Sequence, residues 1–316
     1  MKRILSILLA LAMLLSLTAC GGAAMTMGTG GTSGTYYGYG GVLGNQIKSA
    51  AGITVNVVST DGSKANILGI DAGNYQLGTV QSDVMAYAWA GTRSFEKDGK
   101  IDSFRVVGGL YAEAVQLVTM DPAIKSVADL KGKKVSIGAS GSGVYFNAID
   151  VLGAAGLSEA DIQPQYQSFG DSADALKDGK IDAAFIVAGA PTPAIQELTT
   201  SKTAYLVPID GDVAAKLMNN SPFYTTYNIP AGTYTGQTAD VTTVTVKATL
   251  IVSADASEDD VYNLTAAIFD NVDAITTAHA KGAELSLENA TSGMEAPFHK
   301  GAAKYFAENG VTVKTE

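Results

Sequence analysis

Short apolar runs alternate with helix-like stretches along most of the chain. Three segments share one pattern, in which an apolar strand leads through a Gly/Ser-rich loop into a helix-like stretch: residues 25–47, 134–152 and 183–198. The apolar runs are short and bounded by glycines, as buried strands are, and the stretches between them have helical spacing. This alternation predicts an α/β fold with a parallel or mixed sheet.

A weaker internal repeat indicates two similar lobes. Residues 71–80 and 177–186 each contain a helix end, a glycine stop and a strand. The runs 115–120 and 242–252 are candidates for strands that cross between the lobes, and the Pro-, Asn- and Tyr-rich segment 218–236 predicts a loop. We therefore place lobe 1 at residues 25–114 and 241–316, and lobe 2 at residues 115–240.

Residues 1–19 have the pattern of an export signal. Lys2 and Arg3 precede an apolar run that ends in Leu-Thr-Ala before Cys20, the only cysteine in the chain. The run is too short to span a bilayer as a mature helix. Its ending resembles a lipobox, so we expect cleavage before Cys20, a lipidated anchor at residues 20–24 and a location on the extracytoplasmic face of the cell membrane. The alternative is a simple secretory cleavage site beside a stray thiol.

Composition narrows the choice of partners. The formal charge is −10, and removal of the leader makes it more negative by two. An acidic chain with scattered lysines is a poor fit to nucleic acid or to anionic lipid. With one cysteine the chain cannot form an internal disulfide, so its fold depends on its core. We expect a monomer that does not bind nucleic acid.

The Gly/Ser loops are the strongest candidates for ligand contacts. Backbone N–H groups at a helix start are unpaired, and the helix dipole favours negative charge there. Glycines let a ligand approach the backbone, while Thr32, Ser33, Ser140 and Ser142 add hydroxyl groups. One such loop alone is equally well a capping turn. Two of them in facing lobes predict an anion site.

Cofactor and catalytic patterns fail at specific positions. The third glycine of a dinucleotide-binding G-x-G-x-x-G would fall on Ser33, and no acidic residue follows at the required distance. Residues 138–142 fail G-x-S-x-G at the last position. The two histidines, His279 and His299, are late in the chain and fit surface positions, and no metal-ligand spacing occurs. We therefore expect no enzyme, no cofactor and no metal.

Several tyrosines lie near the same segments. Tyrosine offers a flat apolar wall with a polar tip, which suits a cleft for a small polar solute. We predict Tyr36 and Tyr111 as cleft residues, and Tyr37 and Tyr39 as packing residues.

Five segments resemble the TAXI family of TRAP transporter solute receptors: residues 27–37, 81–84, 111–113, 138–143 and 229–237. The resemblance implies a two-lobed type II periplasmic-binding fold, a TRAP permease as partner, and glutamate, glutamine, 2-oxoglutarate or a similar acid as ligand. This chain has Gly38 where many members have proline. Arg93 and Arg105 match no carboxylate-clamping motif, so backbone N–H groups and hydroxyls would hold the acid.

Together these features predict an extracytoplasmic receptor that captures a small organic acid or acidic amino acid for a TRAP-type transporter. The alternatives are the substrate-binding lipoprotein of an ABC importer, an enzyme on the same fold, and a structural lipoprotein without a ligand. The ligand contacts implied by the resemblance are Gly31, Thr32, Ser33, Tyr36, Ser82, Tyr111, Ser140, Ser142, Gly143, Gly189 and Ala190.

Overall fold

A computed structural model describes residues 24–316, which form ten strands and eleven α-helices. The strands are β1 (Ala24–Gly28), β2 (Thr54–Val58), β3 (Leu77–Gln81), β4 (Phe104–Thr119), β5 (Lys134–Ser136), β6 (Gln163–Gln165), β7 (Ala183–Ala188), β8 (Tyr205–Val207), β9 (Thr225–Ile229) and β10 (Val241–Ser253). The helices are α1 (Thr35–Ala51), α2 (Ser63–Asp71), α3 (Ser82–Ala90), α4 (Val144–Ala154), α5 (Phe169–Lys177), α6 (Pro193–Ser201), α7 (Gly211–Asn220), α8 (Glu258–Phe269), α9 (Val272–Ala278), α10 (Leu287–Thr291) and α11 (Lys300–Glu308). Short 3₁₀ turns, among them Ala280–Glu284, complete the regular structure.

The sheet has a parallel set of strands at each end. Its order is β2-β1-β3-β10-β4-β7-β5-β6, with β9 paired to β10 and β8 paired to β4. Strands β1, β2 and β3 are parallel to one another, as are β5, β6 and β7. Each strand in the two parallel sets is followed along the chain by a helix, as βαβ connections require. The predicted two-lobed α/β architecture is confirmed.

Strands β4 and β10 are long and run from one lobe to the other. In β10, residues 248–252 pair with β3 and residues 241–245 pair with β9. In β4, residues 104–114 pair with β10 and residues 114–119 pair with β7. The two lobes therefore share a pair of antiparallel strands, and any hinge motion bends this pair.

Three hydrophobic clusters follow the two halves of the sheet. The first combines residues between 25 and 111 with residues between 248 and 306, and it contains Tyr39, Leu43 and Phe306. The other two cover opposite faces of the second half. Strand β7 is buried on both faces, so alternate side chains enter different clusters: Phe185 enters one and Ile186 the other.

The structure corrects several sequence expectations. The first crossing strand begins at Phe104, well before residue 115, and the predicted loop 218–236 contains β9, a largely exposed strand whose polar sequence carries no apolar alternation. His299 is 5 % exposed and accepts a hydrogen bond from Gly301 N at the start of α11, so it is not a surface residue. The predicted signal and Cys20 lie outside the described residues, and Ala24 already begins β1. No helix within residues 24–316 combines the length and apolar character needed to cross a membrane.

Candidate ligand-binding cleft

A cleft lies between the lobes, in front of the crossing strands. It encloses about 590 Å³, part of which is open to solvent. The carboxyl ends of the parallel strands of both lobes face it, which is where open α/β sheets bind ligands. Its lining comprises Gly30, Gly31, Gly34, Thr35, Tyr36, Thr60, Asp61, Gly62, Ser63, Gln81 and Glu113 on one side, and Ala139, Ser142, Gly143, Val144, Gln167, Ser168, Phe169, Val187 and Ala188 on the other.

Four helix N-termini meet at the cleft. The residues that precede α1, α2, α4 and α5 are Gly34, Gly62, Gly143 and Ser168, and all four line the cleft. No side chain caps α1, α2 or α4, whereas Ser168 accepts a hydrogen bond from Asp171 N in α5. First-turn N–H groups other than that of Ala65, which donates to Gly141 O, together with the helix dipoles favour a negatively charged group between the lobes.

The lobes touch each other around the cleft, so the structure is the closed form. On one side, Thr35 Oγ1 donates to Gly189 O at 3.0 Å and Ala194 N donates to Ser33 O at 3.1 Å. On the other side, Ala65 N donates to Gly141 O at 3.2 Å. A ligand in the cleft is therefore surrounded by both lobes.

Glu113 forms part of the floor of the cleft. The side chain is 2 % exposed, and burial raises the pKa of its carboxyl to about 8. The hydroxyls of Tyr36 and Tyr111 lie beside this carboxyl, and the more distant Lys281 partly offsets the effect of burial. Lys281 Nζ itself donates to Glu284 Oε1 at 2.6 Å.

A buried polar network joins the lobes next to the cleft. Gln81 Nε2 donates to Asn147 Oδ1 at 2.7 Å, and Asn147 Nδ2 donates to Asp83 Oδ2 at 2.9 Å and to the Tyr224 hydroxyl at 2.8 Å. The Tyr224 hydroxyl donates to Asp150 Oδ2 at 3.0 Å. Burial raises the pKa of Asp83 to about 7, against the lowering effect of its hydrogen bonds. Because Gln81 and Asp83 belong to one lobe and the other three to its partner lobe, the network exists only when the cleft is closed.

Four of the eleven sequence-predicted contacts line the cleft. Gly31 and Tyr36 do so from the first loop and α1, and Ser142 and Gly143 from the second. The Ser142 hydroxyl donates to Ala139 O at 2.6 Å, which closes the turn of its own loop. The structure therefore places parts of the two Gly/Ser loops opposite each other.

The other seven predicted contacts lie outside the cleft lining. Thr32 and Ser140 are exposed, and the main chains of Ser33 and Gly189 take part in the interlobe hydrogen bonds. Ala190 follows Gly189 and is buried.

Ser82 and Tyr111 lie behind the cleft because of the strands they adjoin. Ser82 Oγ accepts a hydrogen bond from Lys247 N in β10 and lines a separate cavity with Lys247 and Glu284. The Tyr111 ring is fully buried, with its centroid 5.1 Å from that of Tyr39 in an edge-to-face contact.

Sequence reasoning missed Gln81, Glu113, Ser63 and Gln167 as cleft residues. The sequence did contain a signal for Glu113, because it is the only charged residue in the largely apolar run 106–119. Gln81 ends a fully buried strand, which is the same kind of signal. Ser63 and Gln167 lie in polar loops and carry no such mark.

Three solved structures share the fold. The alkanesulfonate-binding protein SsuA from Xanthomonas axonopodis pv. citri, bound to MOPS, is 16 % identical with a TM-score of 0.52, and 92 % of each chain is covered. A putative L-cystine ABC transporter protein from Listeria monocytogenes is 18 % identical with a TM-score of 0.53, covering 84 % of this chain and 98 % of that one. A protein from Bordetella bronchiseptica RB50 is 18 % identical with a TM-score of 0.55, covering 90 % and 89 %.

These comparisons agree with the predicted solute-binding role and with the expectation of an exported protein. The TAXI assignment is wrong, because neither the matching family model nor the alkanesulfonate-binding and L-cystine structures are those of a TRAP receptor. The TRAP permease and the glutamate-like ligands that it implied are withdrawn with it. Gly/Ser turns at helix starts are expected in any protein of this fold that binds a ligand with uncapped N–H groups. The Gly/Ser loops therefore did not distinguish the TAXI family from other solute-binding families. The family model for the NMT1-like family matches residues 27–310, and the chain belongs to that family.

Proposed function

We propose that the chain is the extracytoplasmic solute-binding protein of an ABC importer, which was the alternative kept from the sequence. It captures a small anionic or zwitterionic solute in the interlobe cleft and presents the closed form to the membrane transporter. The observation that carries the proposal is the group of four helix N-termini around a cleft enclosed by both lobes. Relatives of the same fold are an alkanesulfonate-binding protein and a putative L-cystine ABC transporter protein, which supports a transport role.

The proposed lobe boundaries are residues 25–114 with 241–316, and residues 115–240. The hydrophobic clusters support this division outside the crossing strands, since the fully buried members of the first cluster lie up to residue 111 and from residue 248 onward. In β10, Val244 and Val246 pack in a cluster of the other lobe. A ligand that contacts both lobes favours closure, whereas a ligand with equal affinity for both forms would shift nothing. The chain acts as a monomer in this proposal.

A binding screen on the purified protein tests the proposal. The protein is unfolded and refolded to remove any co-purified solute, and its thermal unfolding is then followed with amino acids, organic acids, alkanesulfonates and sugars. A ligand present at 100 times its Kd stabilises the folded state by about 2.7 kcal/mol, which raises the midpoint measurably. A selective shift with an anionic or zwitterionic compound supports the proposal. No shift with any compound, confirmed by calorimetric titration, contradicts it and favours a structural lipoprotein.

We also propose that residues 1–19 are a lipoprotein signal and that Cys20, within the anchor at residues 20–24, carries the lipid. The test is metabolic labelling of cells with an alkyne analogue of palmitate. We expect label on the wild-type chain in the membrane fraction and none on Cys20→Ser. Equal labelling of both proteins would contradict the assignment.

A further inference from the structure

The cleft is unusually poor in positive charge for an anion site. Its lining contains two acidic side chains, Asp61 at the exposed rim and Glu113 at the buried floor, and no Lys, Arg or His among the described residues. The helix N-termini account for the recognition of a negative group. Nothing in that role requires a carboxyl group on the floor.

Glu113 is placed to face the ligand. It lies opposite Val246 in β10, at the middle of the crossing strands, and is 2 % exposed toward the cleft. Within residues 24–316 no basic side chain forms a salt bridge with it, and the nearby Lys281 pairs with Glu284 instead. The ionised form of a carboxyl group at this depth is costly unless a positively charged partner arrives with the ligand.

Gln81 adds a second acceptor with a defined orientation. Asn147 uses its amide nitrogen on Asp83 and Tyr224, so its oxygen must accept the bond from Gln81 Nε2. This leaves Gln81 Oε1 buried at the cleft with no hydrogen-bond partner in the described part of the chain. A buried acceptor of this kind needs a donor.

We propose that Glu113 and Gln81 Oε1 bind the protonated amine of a zwitterionic ligand, whose acidic group lies at the helix N-termini. This inference rests on the proposed function and specifies its ligand class. An ammonium group supplies three donors and a positive charge, which match one carboxylate and one amide oxygen. Glu113 is then a specificity-determining residue that separates amino compounds from their deaminated analogues.

The groups that face Glu113 determine whether its carboxyl group is protonated. They are the Tyr36 hydroxyl of α1, the Tyr111 hydroxyl of β4, Asp83 of α3 and Lys281 of the 280–284 turn. Lys281 is bound to Glu284 and lies 5.9 Å from the ring centroid of Tyr111, so it does not neutralise the carboxyl directly. Since burial raises the pKa of Glu113 to about 8, the empty closed site holds a proton at pH 7. An incoming ammonium favours the ionised form, and the proton leaves to solvent.

Isothermal titration of paired compounds tests the inference. The probes are the L-amino acids and taurine, each compared with its deaminated counterpart, for example glutamate with glutarate and taurine with ethanesulfonate. The proteins are wild type, Glu113→Gln, and the control Glu288→Gln, which alters an exposed carboxylate on α10. We expect at least tenfold tighter binding of the amino compound by wild type and by the control. Glu113→Gln should lose at least tenfold in affinity for it and bind the deaminated partner as before.

A second measurement uses wild type alone and does not depend on folding of the variant. Titration at pH 7 in buffers of different ionisation enthalpy should reveal release of about one proton per ligand bound. If the deaminated partner binds as tightly and Glu113→Gln keeps the wild-type affinity, this inference fails while the proposed function stands; Glu113 would then donate to the acid as a neutral group. Absence of binding by every compound overturns the proposed function itself.

Discussion

At the scale of single residues, two buried carboxyl groups have strongly raised pKa values. Glu113 and Asp83 have pKa values of about 8 and about 7, because burial disfavours the charged form. In the unfolded chain both groups titrate near pH 4. Between pH 4 and pH 7 the folded state therefore holds protons that the unfolded state has released.

This difference predicts that the folded state loses stability as the pH rises. The contribution of each group is fully present below about pH 4 and is lost as the pH rises through the folded pKa, with a slope of about 1.4 kcal/mol per pH unit. Urea denaturation at pH 5, 6, 7 and 8 measures the slope. We expect Asp83→Asn and Glu113→Gln each to flatten it relative to wild type, and Glu288→Gln to leave it unchanged. Superimposable profiles for Asp83→Asn and wild type would contradict the raised pKa.

At the scale of elements, helix α1 contains one glycine that is needed for close packing and one that is not. A Cβ at Gly40 would lie 2.9 Å from Thr29 Cγ2 and 3.4 Å from Met27 Sδ, so a glycine is needed for α1 to approach β1. At Gly38 a Cβ would meet nothing within 4 Å. Gly38, which stands where many TAXI members have proline, therefore has no packing role.

We predict opposite effects of alanine at these two positions. Gly38→Ala should raise the free energy of unfolding by about 0.5–1 kcal/mol, because alanine loses less backbone entropy in a helix. Gly40→Ala should lower it, because the methyl group pushes α1 away from β1. Urea denaturation of both variants beside wild type checks the pair. A stabilising Gly40→Ala would show that α1 can move away from the sheet at little cost.

At the scale of the whole molecule, closure brings backbone of one lobe against side chains of the other. A Cβ at Gly143 would overlap the Gln81 side chain and lie 3.0 Å from Val84 Cγ2. Gln81 cannot turn away freely, since its amide nitrogen is bound to Asn147. Only glycine at position 143 therefore allows this closed form.

Gly143→Ala should weaken ligand binding at least tenfold while leaving the fold of each lobe intact, because the clash exists only between lobes. The control is Gly153→Ala in α4, the helix that Gly143 precedes, where a Cβ would meet nothing within 4 Å. Calorimetric titration gives the affinity, and small-angle scattering gives the radius of gyration with and without ligand. In the presence of ligand we expect wild type and the control to be more compact than Gly143→Ala. Wild-type affinity in Gly143→Ala would rule out Gly143 as a closure contact.

The sequence by itself determined the alternation of strands and helices, the two lobes and the glycine-rich loops at helix starts, because periodicity and turn chemistry are local signals. The prediction from sequence began β4 too late and gave β9 as a loop, because these segments are stabilised by pairing with strands distant in the chain. It also could not decide which side chains reach the cleft. Tyr111 and Glu113 point to the same face of β4. Tyr111 packs against Tyr39 behind the cleft, whereas Glu113 lines the cleft.

Gln81 shows the same division at the contact between the lobes. Its place at the end of a buried strand follows from the sequence, but its bond to Asn147, 66 positions along the chain, exists only in the closed molecule. Local patterns therefore determine the elements of this protein. The ligand site depends on tertiary structure, because it is formed where side chains from two lobes, brought together by β4 and β10, enclose the same volume.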